Sequence, residues 1–206
     1  MKIWAIAIGE PLPLQNNNDR LHRCGLIVEE LVNRRHDVTW WSSNFNHFNK
    51  KHIFKDTKDV RINDNLEIIL LHGIRYKKNI SLARIFNHFQ IAEKFKKLSY
   101  NFTPPEKIIC AFPSIELAYQ ATIFAQKNKI PIIIDARDMW PDIFISVLNP
   151  SLKSIGKIFF KKYFTMTKYI FSHASHVTGI TESFVDWAVK SYARREKKET
   201  DRAFYL

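Results

Sequence analysis

Eight residues in the second half of the chain, Asp135-Ala136-Arg137-Asp138-Met139-Trp140-Pro141-Asp142, bring three carboxylates, a guanidinium and an indole together directly after an apolar run. Such a cluster at a strand end can orient a hydroxylated or charged ligand; it can equally be an Arg137–carboxylate pair that fixes its own loop. A second candidate lies near the start, where Gly9-Glu10-Pro11-Leu12-Pro13 runs through Asn16-Asn17-Asn18-Asp19 to Arg20. The pattern is not GxGxxG, which argues against an ordinary dinucleotide site. Asparagines tolerate left-handed backbone, so this loop could turn its amides toward an anion with a helix N-terminus behind them. A plain surface loop with Asp19 as helix cap explains the same residues.

The remaining chemistry is negative. No Ser-His-Asp set, Walker loop, HExxH or Cys-x-x-Cys occurs, so hydrolase, NTPase and metal readings have no local support. Cys24 and Cys110 stand alone in apolar surroundings and read as buried thiols rather than a disulfide or zinc site. In Gly179-Ile180-Thr181-Glu182-Ser183 the hydroxyls suit a helix cap, which accounts for both.

These loops need a scaffold, and the pattern supplies one. Short apolar runs alternate with stretches of helical length, the signature of an α/β, Rossmann-like, doubly wound and mainly parallel sheet with helices on both faces. The expected strands are Ile3–Ile8, Asp37–Trp41, Glu67–His72, Lys107–Ala111, Ile130–Asp135 and His176–Gly179. Helices are expected over Arg20–Arg34, Ile115–Asn128 and Phe184–Ala193. The stretch Asn44–Asn65 is polar, carries His47, His52 and Lys50-Lys51, shows no clear period and reads as a long loop. In such a sheet ligands gather at the carboxyl ends of the strands, where the candidate clusters fall.

Lys and Arg outnumber Asp and Glu by 32 to 20, for a net charge of +12. The excess is patterned. Arg75–Tyr100 carries Arg75, Lys77, Lys78, Arg84, Lys94, Lys96 and Lys97 against Glu93 alone, and Ser151–His176 has lysines and no acid. Within the second stretch Leu152, Ile155, Ile158, Phe159 and Tyr163 recur at helical spacing beside Lys153, Lys157, Lys161 and Lys162. That reads as one basic amphipathic helix, suited to an anionic membrane surface or to an ordinary solvated face. Net charge alone would also permit a nucleic-acid module, but no such motif is present and the aromatics sit within apolar runs, so nucleic acid is not expected as a partner.

Taken in order, Gly9-Glu10-Pro11, Arg20, the segment Arg34-Arg35-His36-Asp37-Val38-Thr39-Trp40-Trp41-Ser42-Ser43, Phe45-Asn46-His47 with Lys51, Gly73 with Lys78-Asn79-Ile80-Ser81-Leu82, Arg137 to Asp142, and Ile180 to Trp187 resemble the amino-terminal domain of family 4 glycosyltransferases. The bacterial surface-polysaccharide branch is the most similar, and the likeness spans essentially the whole chain. The resemblance implies a GT-B architecture, with residues 1–200 as the acceptor-side domain and residues 201–206 as the start of a crossing to a donor domain. By the same analogy Gly9, Glu10 and Arg20 approach the acceptor and donor phosphates, while His47, Arg137, Asp138, Trp140 and Asp142 shape the acceptor pocket. Lys153, Lys157, Lys161 and Lys162 would face the membrane.

The expectation is thus one half of a retaining transferase that moves a sugar from a nucleotide-sugar, a UDP-sugar by analogy, onto a lipid-linked glycan precursor of O-antigen or capsule. No metal and no further cofactor are expected. The catalytic groups would belong to a carboxyl-terminal donor domain, in cis or on a separate chain, without which the domain should not turn over; a non-catalytic acceptor subunit is the alternative. The location expected is the cytoplasm, peripheral on the inner face of the plasma membrane. Arg35 departs from the family pattern, standing where a helix-ending glycine is usual.

Overall fold

The computed structural model describes residues 1–14, 20–79 and 81–205. β1 (Lys2–Ile6) is followed by α1 (Arg23–Asn33), β2 (Asp37–Ser43), a small antiparallel pair β3 (Phe45–Asn46) and β4 (Lys51–His52), then β5 (Lys58–Asn63) and β6 (Leu66–Leu71). The second half runs α2 (Leu82–Leu98), β7 (Lys107–Phe112), α3 (Ile115–Lys127), β8 (Ile132–Ala136), α4 (Asp142–Ser146), α5 (Lys153–Phe159), α6 (Lys161–Ser172), β9 (His176–Gly179), α7 (Glu182–Asp186) and β10 (Arg202–Ala203).

Eight strands make one sheet in the order β10-β9-β8-β7-β1-β2-β6-β5. All neighbours run parallel except β5, which is antiparallel to β6. The sequence expectation of a mainly parallel α/β sheet is met, and each expected strand is present with no end shifted by more than two residues. β1 pairs with both β2 and β7, so the chain leaves it in opposite directions on its two sides. That is the topological switch point, where two loops diverge and leave a crevice.

Alternation along β1 sorts the two layers. Trp4 and Ile6 join the core that also holds Trp41, Ile91, Phe95 and Phe124, whereas Ala5 and Ala7 face Cys24 and Val28 of α1. Trp4 stacks on Phe124 with ring centroids 4.9 Å apart and meets Trp41 edge-on at 5.1 Å; Trp41 meets Phe95 at 5.0 Å. Pairs of this kind add about 0.5–1.5 kcal/mol each beyond burial and fix α2 and α3 on the sheet.

Three expectations are corrected. The stretch Asn44–Asn65 is not a structureless loop: Val60 and Ile62 turn alternately inward from a half-exposed edge strand, β5, and a polar edge is how a sheet end avoids pairing with other chains. Ser151–His176 is two helices, because the chain turns at Phe160 between α5 and α6. The helix expected from Phe184 starts at Glu182 and widens into a π-type turn over Trp187–Ala193, ended by Arg194 in left-handed backbone. At the far sheet edge, Asp201 is buried and accepts from the Val177 N–H at 2.7 Å, and β10 pairs with β9.

Arg35 takes the conformation that usually calls for glycine. Its φ is +60°, its N–H donates to Val32 at 2.8 Å, and the His36 N–H reaches Leu31 at 3.0 Å, a paired helix-end motif. Lys129 repeats it at the end of α3, with φ +57° and the Ile130 N–H on Ala125 at 2.8 Å. A side chain there costs about 1–2 kcal/mol, partly offset by the lower entropy of the unfolded chain. Arg35→Gly and Lys129→Gly should therefore each raise unfolding stability by about 0.5–1 kcal/mol, additively, as read by chemical denaturation.

Candidate functional site

Beneath the carboxyl ends of the strands lies a buried chain of charges. Asp135, at the end of β8, accepts from Arg23 Nε at 2.8 Å and Nη2 at 2.9 Å, from Arg137 Nε at 2.7 Å and from the Thr178 hydroxyl at 2.8 Å. Arg137 reaches on to Glu10 Oε1, and Glu10 Oε2 accepts from the Cys24 N–H at 2.9 Å and Gly25 N–H at 3.4 Å, capping α1. Arg23 also donates to the carbonyls of Gly179 and Phe204. The loops after β1, β8 and β9, the start of α1 and the end of β10 are thereby bolted to one carboxylate. Burial alone would raise the Asp135 pKa, but the hydrogen bonds and charges of Arg23 and Arg137 hold it below the usual carboxylate range. Burial works against the Arg137 charge, yet Glu10 and Asp135 keep that charge firmly in place.

Above this lock, at the switch point between β1 and β7, is a cavity of about 150 Å³. Gly9, held at φ +80° after β1, forms one wall; Ser43 ends β2, His47 follows β3, Ser114 follows β7, and α2 contributes Arg84 and His88. His47 Nδ1 lies 2.7 Å from the Tyr76 hydroxyl. Lys50 donates to Asn79 Oδ1 at 2.6 Å and lies 5.1 Å from the centre of the Tyr76 ring. Arg84 sits over Trp140 at 5.6 Å and donates from Nη1 to the Asn79 carbonyl at 2.8 Å, while its Nε is buried with no hydrogen-bond partner. Burial lowers the His47 pKa, and Lys50 and Arg84 lower it further. One cation, Arg84, and several neutral donors therefore line this cavity without a carboxylate, an arrangement compatible with an anion.

A second chamber of about 180 Å³ adjoins it, sharing Arg84, His88 and Trp140; Ile85, Ile115, Phe144, Phe160 and Tyr163 make most of its remaining wall, with Asn79, Ser81 and Glu116. Together the two reach the lower end of the roughly 300–1,000 Å³ of small-ligand pockets. Glu116 and His88 face each other here at 3.9 Å. The distance suits an ion pair, but burial pushes His88 down to about 3 and raises the Glu116 pKa, so the histidine is neutral, and Tyr163 donates to Glu116 at 2.7 Å.

The expected site residues divide among these parts. Gly9, His47 and Trp140 line the cavity, whereas Glu10 and Arg137 belong to the lock. Asp138 turns back on its own loop, accepting from the Met139 N–H at 2.8 Å. Asp142 binds the Tyr192 hydroxyl and the Trp187 indole N–H, the latter at 3.2 Å, and so anchors the carboxyl-terminal helix. Arg20 is exposed ahead of α1, and the asparagine loop with Asp19 lies outside the described residues. Lys157, Lys161 and Lys162 are exposed and Lys153 is half-buried.

Sequence reasoning missed Arg23, Tyr76, Arg84 as an individual residue, His88 and Glu116. Arg23 carried a signal: a cation in the first turn opposes the helix dipole and needs a partner elsewhere. Among the described residues no group of His, Cys, Asp and Glu is placed to hold a metal ion, and no helix is long and apolar enough to cross a membrane.

No protein-family model and no curated protein matches the chain. Among solved structures it is similar to a sucrose-phosphate synthase from Thermosynechococcus elongatus, with 11% identity, a TM-score of 0.52, and coverage of 99% of this chain and 87% of that one. A second likeness is to a UGT transferase from Siraitia grosvenorii solved with UDP, at 12% identity over 93% of this chain and 47% of that one, with a TM-score of 0.37. The first likeness establishes a shared fold, the Rossmann-like half of a GT-B architecture.

Asp135→Asn leaves Arg23 and Arg137 facing a neutral group and should cost about 3–5 kcal/mol of stability, a large share of the roughly 5–15 kcal/mol of a typical domain, measurable by chemical denaturation. His88 gives a pH test. Its folded pKa, about 3, lies below the unfolded 6.5, so its contribution is complete above pH 6.5 and is lost as pH falls toward 3. The stability of the wild type relative to His88→Gln should therefore fall across that window by about 1.4 kcal/mol per pH unit.

Proposed function

We propose that this chain is the acceptor-side domain of a family 4 glycosyltransferase of the bacterial surface-polysaccharide branch, which transfers a sugar with retention from a nucleotide-sugar to a lipid-linked glycan precursor at the inner face of the membrane. The observation that carries the reading is the cavity at the switch point, which is lined by Arg84 with no carboxylate beside it and adjoins an apolar chamber, on a fold shared with a sucrose-phosphate synthase. A phosphate of a lipid-linked acceptor is the anion that suits it. His47 and Trp140 then border the acceptor, Gly9 lets the loop after β1 approach it closely, and Glu10 and Arg137 keep that loop still without touching substrate. Arg20 is free in this reading to meet donor phosphates.

Turnover in this reading requires a donor domain, in cis or on a separate chain, to hold the nucleotide-sugar, and it requires no metal. Membrane attachment is supported by α5. Its residues Ile158 and Phe159 are 74% and 76% exposed, so the apolar side of this basic helix faces outward rather than into the domain. With Lys157, Lys161 and Lys162 beside it, that face suits an anionic bilayer, each basic residue contributing about 1 kcal/mol.

Sedimentation with anionic vesicles bearing undecaprenyl-diphosphate-linked sugar, alongside calorimetry with UDP-sugars, tests the proposal. The expected outcome is vesicle binding that drops about tenfold or more in an Ile158→Ser/Phe159→Ser double variant, with little affinity for UDP-sugar on this chain alone. Tight UDP-sugar binding would overturn the division of labour, and failure to bind either would overturn the function.

A further inference from the structure

The two chambers of the site do not end at the strand tips. The apolar chamber shares Ile85, Glu116 and Tyr163 with a surface groove of about 520 Å³ between α2 and α6. That groove in turn shares Phe89, Glu116, Lys162 and Met166 with a further one of about 700 Å³, which reaches Ile158, Phe159 and Lys161. These cavities line up as one row, here called the trench, from Arg84 to the exposed face of α5, each sharing wall residues with the next. Its walls change character along the way: Ser43, His47 and Tyr76 at the inner end, then Ile85, Phe86, Phe89 and Met166. Leu82 and Phe86 on the α2 rim are 80% and 52% exposed, well beyond what a helix packed on a sheet needs to leave in water. Lysines mark the outer end.

A cationic pocket joined to a long apolar groove that opens beside a basic apolar face has the shape and polarity of one amphiphile. We propose that the trench is a binding site for a single polyprenyl chain, with its phosphate or diphosphate against Arg84 and its first prenyl units lying along α2 between Ile85 and Phe89. The proposal rests on the acceptor reading above and deepens it: the lipid is gripped by the protein as well as by the bilayer. The charge argument decides between occupants. A peptide helix docking in the groove would leave the buried, unpaired Arg84 Nε at its inner end unused, whereas a phosphate-headed chain uses both ends.

Calorimetric titration of the chain with farnesyl diphosphate and with methyl diphosphate tests this. Farnesyl diphosphate should bind about tenfold tighter or more, since its apolar chain leaves water. Ile85→Trp, which narrows the neck between chamber and groove at a half-exposed position, should remove most of that advantage and leave methyl diphosphate unaffected. Equal affinity of the wild type for both compounds overturns the chain site while leaving the acceptor reading in place, and this comparison needs no variant to fold. Binding of neither overturns both. A farnesyl advantage that survives Ile85→Trp but vanishes in Phe159→Ser locates the chain on the exposed face of α5 rather than along α2 between Ile85 and Phe89, and overturns the proposal.

Discussion

Asp135 is the charge on which the functional edge of this sheet depends. A carboxylate buried at the end of a central strand costs several kcal/mol to desolvate, and the fold answers with two guanidinium groups, a hydroxyl and, one link further, a second carboxylate. The result is specificity of geometry more than stability. Arg23 ties α1 and the chain at Phe204 to β8, while Arg137 ties the loop after β8 to the loop after β1. Loops that start two strands apart in the sheet thus share one origin, and the cavity above them inherits a fixed floor.

That arrangement explains why the site was only partly legible in the sequence. The strands could be read because each is a short apolar run bounded by polar turns, and the strand-end rule placed the candidate residues at the carboxyl edge of the sheet. The roles within the edge could not be read from local spacing. Arg137 and Asp138 are neighbours, yet one spans 127 positions to Glu10 and the other binds the next amide. Asp142, four residues further, serves Tyr192 and Trp187, fifty and forty-five positions away. Partners at such separations are chosen by topology, which no short window contains.

The basic stretches failed differently. Lysine and arginine counts placed the charge correctly along the chain but treated Arg84 as one of seven. Only the packing of α2 against the switch point separates it: its neighbours Tyr76 and Trp140 offer ring faces, not carboxylates, and the one hydrogen bond of its guanidinium among the described residues goes to the Asn79 carbonyl. The α5–α6 region was read as one helix because its apolar spacing continues past Phe160. The break there tilts Ile158 and Phe159 away from the core while Met166 and Ile170 turn into it, dividing one apolar pattern between water and the domain.

The same division bears on how acceptor and membrane would work together. An enzyme that only sits on a bilayer needs an apolar face, and one that only binds a phosphate needs a cationic pocket; neither requires the two to be joined. In the proposed reading they are joined through a chamber whose one acid, Glu116, is buried, bonded to Tyr163 and raised in pKa, which lowers the cost of placing hydrocarbon beside it. His88, kept neutral by burial, likewise adds no charge to that wall. Arg84 marks the inner end, Lys161, Lys162 and Glu93 border the outer groove, and apolar side chains make up much of the wall between, so in the proposed reading a chain threaded from bilayer to site would leave water once and meet the Arg84 cation where its own phosphate arrives.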